Sequence, residues 1–273
     1  MDRAFPRRGG GALHFRAAMS FRVTMLGSGT STGVPVINCT CEVCTSDNPR
    51  NRRTRPGLKL EIGNGIVLVD TPTDLREQAL RFGVPRVDAV LFTHSHADHV
   101  FGLDDVRIFN FRQRSAIPCY GSEETLRAIR RAFAYVFEPG QEGGGKPQLE
   151  LIEVREPFRL LGLEVLPVPV WHGTMEVFGY RIGRFAYVTD CNRIPEESFR
   201  LLEGVEILIL DALRYRPHPT HFSVAEAVEV AARIGAERTI LTHIAHEIDH
   251  DAPAFPLPPG IEFGYDGLAF DVV

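Results

Sequence analysis

Thr93-His94-Ser95-His96-Ala97-Asp98-His99 sets three imidazoles and a carboxylate within six residues, directly after the apolar run Ala89-Val90-Leu91-Phe92. That run is short and reads as a buried strand, so the cluster falls where a strand gives way to a loop. Imidazole and carboxylate packed this closely favour a metal such as zinc, manganese or iron. The plainer alternative is a polar loop whose histidines are satisfied internally. A second cluster, Cys39-Thr40-Cys41-Glu42-Val43-Cys44, spaces three thiols like three corners of a tetrahedral zinc site. Its fourth ligand must come from elsewhere, and free or buried thiols are the alternative.

The same placement recurs along the chain. His172 closes the run before Gly173, Asp190 follows Phe185-Ala186-Tyr187-Val188-Thr189, and His243 follows Thr239-Ile240-Leu241-Thr242. His94, His96, Asp98, His99, His172, Asp190 and His243 therefore all lie at or just after strand ends, where loops converge on one edge of a sheet. Seven ligands exceed the needs of one metal and match two metals sharing a carboxylate. Asp70, at the end of Ile66-Val67-Leu68-Val69, could accept from a ligand histidine and fix its ring, or serve turn chemistry. Arg50, Arg52, Arg53 and Arg55 could meet a phosphate or form a solvated, loop-stabilising face; both remain open. The glycine-rich stretch Gly27 to Gly33 lacks a P-loop lysine.

The positioning elements alternate between strand-like and helical patterns. Strands are expected at Phe21–Leu26, Leu58–Ile62 paired with Ile66–Asp70, Ile117–Gly121, Leu149–Ile152, Leu163–Val168, a hairpin of Phe178–Ile182 with Phe185–Val188, Glu206–Asp211 and Leu268–Val273. Asp74 is a candidate cap for a helix over Leu75–Phe82, Asp104 to Arg114 reads as mixed and helical, and Ser122 starts a helix to about Phe133. Ser223 with Glu226 forms a capping box ahead of Val224–Ile234. Glu138 to Pro147 reads as a flexible glycine-rich excursion. Strands and helices alternate in two halves, which implies an α/β layered domain with mixed sheets.

The chain has 273 residues, 44% hydrophobic and 24% charged, with a net charge of −5, an ordinary globular composition. That charge argues against a dedicated nucleic-acid binder. No apolar run reaches membrane-span length. Five cysteines, an odd number with three clustered, do not suggest a disulfide framework, so a reducing cytoplasm is expected. Residues 1–18 lack the apolar core of a secretory signal and read as a disordered leader, with a transit-type peptide as the alternative; residues 19–273 are expected to form one domain.

On His94-x-His96-x-Asp98-His99, His172-Gly173, Thr189-Asp190 and Thr242-His243, the chain from about Phe21 onward resembles the metallo-β-lactamase superfamily. The resemblance implies a four-layer αββα sandwich with two mixed β-sheets and a dinuclear site at one edge. It would give one metal His94, His96 and His172, the other Asp98, His99 and His243, with Asp190 bridging. Cys39-x-Cys41-x2-Cys44 and His246 resemble the structural zinc site of PhnP-type cyclic phosphodiesterases, which serve phosphonate breakdown. His221-Phe222-Ser223-x-x-Glu226-Ala227 is similar to a motif of those enzymes and of tRNase Z that bears a phosphate-contacting or general-acid histidine.

These features imply a metal-dependent hydrolase of small phosphodiesters, cyclic ones among them. It would use two divalent ions, Mn2+ or Zn2+, one structural Zn2+ and a hydroxide bridging the active-site pair. Asp98 would orient the hydroxide, and His221 would contact substrate and protonate the departing oxygen, since imidazole ordinarily titrates near neutral pH. Alternatives on the same scaffold are tRNA 3′ processing of the tRNase Z type, a thioester or lactam hydrolase, and a PqqB-like cofactor-biosynthesis protein. A small phosphodiester is the expected partner; nucleic acid and membrane are disfavoured, and a homodimer is compatible. His218 and His250 match no motif and read as structural, and Cys119 and Cys191 as isolated thiols.

Overall fold

A computed structural model describes residues 20–139 and 145–273. The expected leader, residues 1–18, and the centre of the glycine-rich excursion lie outside the described residues. The first half contributes β1 (Phe21–Gly27), β2 (Gly57–Ile62), β3 (Gly65–Val69), β4 (Ala89–Leu91), β5 (Ile117–Gly121) and β6 (Leu149–Glu153). The second contributes β7 (Phe158–Leu160), β8 (Leu163–His172), β9 (Met175–Ile182), β10 (Phe185–Val188), β11 (Ile207–Asp211), β12 (Arg238–Thr242) and β13 (Ile261–Phe263), after which β14 (Ala269–Val272) returns to β1. The helices are α1 (Glu42–Thr45), α2 (Leu75–Arg81), α3 (Ala97–Val100), α4 (Arg107–Gln113), α5 (Glu123–Ala132), α6 (Ala134–Phe137), α7 (Glu196–Leu201) and α8 (Val224–Ile234).

Two seven-stranded sheets result, in the orders β14-β1-β2-β3-β4-β5-β6 and β13-β12-β11-β10-β9-β8-β7. Each is antiparallel on one side and parallel on the other, the change falling at β3 in the first sheet and at β10 in the second. Apolar residues on both faces of the central strands demand cover on both sides. Val23, Leu58 and Leu60 of the first sheet meet Val165, Tyr180, Tyr187 and Ile209 of the second in one buried layer. The outer face of the first sheet packs Leu68 and Val90 against Leu75, Phe109 and Leu126 of the helices. That of the second packs Leu208 and Leu210 against Ala227 and Ala231 of α8. This is the four-layer αββα sandwich.

Local chemistry explains several boundaries. Ser223 and Glu226 form the expected capping box, and Ser122 caps α5 by accepting from the Thr125 amide at 3.2 Å. Asp74 does stand at the start of α2 but makes no side-chain cap. Its carboxylate instead takes the backbone N–H of Arg55 at 2.8 Å and the Arg55 guanidinium at 2.9 Å, because a charged donor outcompetes a helix amide. β8 runs unbroken through Pro167 and Pro169, where two separate strands were expected. β9 pairs with it throughout, whereas β7 stops at Leu160, so the far edge of β8 needs no donors there. β7, β13 and α7 were not anticipated; each is short.

At the C-terminal ends of β3, β10 and β12, Asp70, Asp190 and His243 hold left-handed φ values of 64°, 53° and 62°. Non-glycine residues rarely adopt this conformation unless surrounding structure enforces it. It turns three side chains back over the sheet edge. No helix among the described residues is long and apolar enough to cross a membrane.

Candidate metal centre

β4 delivers Thr93 and His94 to the sheet edge, and the chain then turns into α3 with His96 at its N-cap and Asp98 and His99 in its single turn. That turn is pinned to the loop after β3: the Thr71 amide donates to the His99 carbonyl at 2.8 Å, and the Gly102 amide to the Thr71 carbonyl at 2.9 Å. A Cβ on Gly102 would lie 2.0 Å from the Pro72 carbonyl oxygen, so only glycine permits this approach. The Tyr180 hydroxyl donates to the Phe92 carbonyl at 2.7 Å, tying the two sheets together beneath the cluster.

His94, His96 and His172 bring ring nitrogens within 4.8 Å of one another, and Asp98, His99, Asp190 and His243 form a second such group. Asp190 faces both. Its Oδ1 lies 4.0 Å from His94 Nε2 and 3.1 Å from His243 Nε2, and its Oδ2 lies 3.2 Å from His99 Nε2. Asp98 Oδ2 is 3.4 Å from His99 Nε2 and 3.5 Å from His243 Nε2.

The hydrogen bonds behind these rings select their tautomers. Thr93 Oγ1 donates to Asp70 Oδ2 at 2.8 Å, so it accepts from His94 Nδ1 at 3.0 Å. His99 Nδ1 donates to the same Asp70 oxygen at 2.7 Å, and the Thr93 amide donates to Asp70 Oδ1 at 2.8 Å. His172 Nδ1 donates to the Thr220 carbonyl at 2.8 Å. In each case the proton sits on Nδ1 and Nε2 faces the cluster. Among the described residues, His94 Nε2, His99 Nε2 and both ring nitrogens of His243 are buried without a hydrogen-bond partner. Buried polar atoms are rarely left so. Converging orphaned nitrogens beside two carboxylates fit divalent cations, and both donor groups have the chemistry to hold them.

Electrostatics agree with this. Burial pushes His94 well below the usual imidazole range, with neighbouring His99 adding to the effect. Burial also lowers His96 and His172. Burial opposes ionisation of Asp190 and Asp98, yet the rings of His243 and His99 hold both carboxyls below their ordinary range. Burial likewise opposes charge on His99 and His243, but Asp190 outweighs it, helped by Asp70 at His99. His99 is held well above its ordinary value and His243 is raised to about 10.

His221 lies against this cluster. Its ring stacks on His243 with centroids 4.6 Å apart and meets His172 edge-on at 4.6 Å. Its Nδ1 donates to Asp211 Oδ1 at 3.1 Å. The same carboxylate accepts from the amides of Asp190 at 3.1 Å and Phe222 at 2.9 Å. In the sequence, Asp211 shows only as the end of a buried strand. Its signal was the strand-end position it shares with Asp70, Asp190 and His243.

Cys39, Cys41 and Cys44 gather around His246 Nδ1 at 3.3, 3.5 and 3.5 Å. A tetrahedral zinc with Zn–S about 2.3 Å and Zn–N about 2.0 Å calls for S···N separations of about 3.5 Å, so the four residues could hold one. The amide of Cys44 draws the Cys41 thiol down to about 7 against the effect of burial, while burial pushes Cys44 up to about 11. Beside them, Arg53 is almost wholly buried. Its guanidinium donates to the carbonyls of Ala245 at 3.2 Å and Ile248 at 2.8 Å, and to Asn51 Oδ1 at 3.1 Å. Arg55 is paired with Asp74, and Arg52 bonds the Ser46 carbonyl at 3.3 Å. These contacts favour the loop-stabilising alternative for the arginine stretch.

Residues 66–244 match the family model described as a beta-lactamase superfamily domain. The chain belongs to the beta-lactamase superfamily. It is a metallo-hydrolase with the superfamily's sandwich fold. Among solved structures it is similar to one described as a new diphosphatase from the PhnP family, with 43% identity and a TM-score of 0.87 over 93% of this chain and 98% of that one. It is 39% identical over 252 residues to an octanoyltransferase of Porphyromonas gingivalis, covering 90% of this chain and 51% of the relative, so it spans about half that protein's length. It is 28% identical over 220 residues to coenzyme PQQ synthesis protein B of Methylobacterium nodulans, covering 68% of this chain and 71% of the relative.

Proposed function

We propose that this superfamily hydrolase cleaves small phosphodiesters, cyclic ones among them, in a reducing cytoplasm. The main support is geometric: the two donor groups adjoin, Asp190 of the second lying 4.0 Å from His94 of the first, and the buried His221–Asp211 pair lies beside them. His94, His96 and His172 would hold one Mn2+ or Zn2+ ion, Asp98, His99 and His243 a second, and Asp190 would bridge; Cys39, Cys41, Cys44 and His246 would hold a structural Zn2+. Cations so placed would acidify a water molecule and offset phosphate charge.

The protein's own residues do the rest. Asp70 fixes His94 through Thr93 and His99 directly, so the ring nitrogens need no reorientation. Asp98, held ionised, accepts a hydrogen bond from the attacking water and aligns it. Asp211 accepts from Nδ1–H of His221 and orients the ring, and in the imidazolium form Nε2–H would protonate the departing oxygen, leaving a neutral ring. The similarity to a PhnP-family diphosphatase favours phosphoester substrates. The seven clustered imidazoles and carboxylates lie within the stretch shared with the octanoyltransferase. They suit hydrolysis.

The test is turnover of bis(p-nitrophenyl) phosphate and ribosyl 1,2-cyclic phosphate by manganese- or zinc-loaded protein. His94→Ala should abolish it, and His221→Ala should lower kcat by about 10²–10⁴-fold. Full activity in His94→Ala would overturn the site. Cleavage of a precursor tRNA in preference to the small esters would replace this proposal with RNA processing.

A further inference from the structure

The segment from Arg214 to His221 is unusually constrained for a proline-bearing loop. Arg214 donates from Nε to the Arg216 carbonyl at 3.2 Å and from Nη2 to the Pro217 carbonyl at 3.0 Å, stiffening the turn from within. Asn192 Nδ2 donates to the Pro219 carbonyl at 2.8 Å, and Asn192 Oδ1 accepts from the Gly173 amide at 2.9 Å. With the bond from His172 to the Thr220 carbonyl, the loop is fixed against the strand end that bears His172.

This loop extends a row of imidazoles outward. His243 is buried at 1% exposure and His221 at 8%. The half-buried His218 follows, its centroid 5.2 Å from that of His221. His218 Nδ1 accepts from the Thr220 amide at 3.3 Å and lies 3.2 Å from Thr220 Oγ1. Burial lowers the His218 pKa, with His221 and Arg214 adding to the effect, so the ring is neutral with its proton on Nε2. That N–H has no hydrogen-bond partner among the described residues. Arg214 and Asp211 both act on the ring, in opposite senses. Arg214 has no acidic partner among the described residues, Arg216 is paired with Glu247 at 2.7 Å, and Asp211 is committed to His221 and two amides.

We propose that His218 is a substrate-contacting residue that donates Nε2–H to an anionic departing group, so that the site favours diphosphate diesters over esters of neutral alcohols. The proposal rests on the phosphodiesterase reading, in which His221 faces the departing oxygen. The next imidazole outward then meets the atoms attached to that oxygen. In a diphosphate diester these are a second phosphoryl group, for which an N–H donor close to the Arg214 guanidinium is a good partner. In the reaction, the oxygen of water bonds to one phosphorus and the bridging P–O bond breaks. The bridging oxygen takes the His221 proton, a proton of the water passes to solvent, and two phosphomonoesters leave.

The experiment compares kcat/KM of the metal-loaded full chain for ADP-ribose, a nucleoside diphosphate ester, and for bis(p-nitrophenyl) phosphate. His218→Ala should lower the ratio of the two by about tenfold or more, chiefly through KM for ADP-ribose, as expected for loss of one hydrogen bond to a charged group. His218→Gln, which keeps an N–H donor, should recover part of it. An unchanged ratio, whether both activities hold or both fall together, would overturn the proposal. So would a wild-type protein that cleaves bis(p-nitrophenyl) phosphate but not ADP-ribose, a result that leaves the phosphodiesterase reading standing. Inactivity on both esters and on ribosyl 1,2-cyclic phosphate removes that reading and this proposal together.

Discussion

Asp70 and Asp211 sit behind the imidazoles, and the site depends on what they accept. Asp211 receives three N–H groups across its two oxygens. In Asp211→Asn the amide nitrogen would face a donor, and the tautomer of His221 would no longer be selected. We expect kcat to fall by about 10–10²-fold; an unchanged kcat would show that Asp211 does not act through His221. A second prediction concerns protons. His243 rises from 6.5 to about 10 in the cation-free protein, and His99 also lies above its ordinary value. A raised histidine stabilises the fold fully below its unfolded value near 6.5, and that contribution is lost as pH rises through the folded value near 10. Chelator-treated protein should therefore become less stable to urea from pH 7 to 10. Cation affinity should change in the opposite sense, because each bound cation must displace those protons. It should weaken about tenfold per displaced proton for each unit of acidification, measured by chelator competition between pH 8 and 6.

At the scale of elements, short turns held by single groups carry the geometry. Arg53 bonds the carbonyls of Ala245 and Ile248 on either side of His246, in the segment that leaves β12 through His243. Arg53→Ala would leave both carbonyls buried and unpaired, at a cost of about 2–5 kcal/mol. Urea denaturation should show that loss, and Arg53→Lys should recover only part of it, since an ammonium cannot span the same fork. A loss below about 0.5 kcal/mol would make the stretch an ordinary surface face.

Across the whole molecule, the His/Asp cluster and the Cys/His cluster are joined through one strand end. β12 delivers His243, Ile244 lies beside the glycine-rich loop, with its amide on the Ser28 carbonyl at 2.9 Å and its carbonyl accepting from the Thr30 amide at 3.2 Å, and His246 follows among the thiols. Cys41→Ser should therefore lower the melting temperature and the cation content of the His/Asp cluster together. Both are readable from one purified sample by thermal denaturation and metal analysis. An unchanged melting temperature would separate the two clusters.

Much of this was legible in the chain itself. Strand-end placement picked out His94, His96, Asp98, His99, His172, Asp190 and His243, because β-strands announce themselves by short apolar runs and ligands by residue type. The thiol spacing was equally local. Arg53 was visible as a charge but not as a clamp, because burial depends on which loop covers it. Asp74 looks like a helix cap in the sequence, but Arg55, from the bend before β2, takes its carboxylate. His218 carried no motif, and only the folding of its loop against His172 and Asn192 brings it into line with His221 and His243. Residue type and periodicity determined which strands form and which side chains could bind a metal. Tertiary structure alone decided which carboxylate fixes which ring, since that choice rests on distances between segments far apart in the chain.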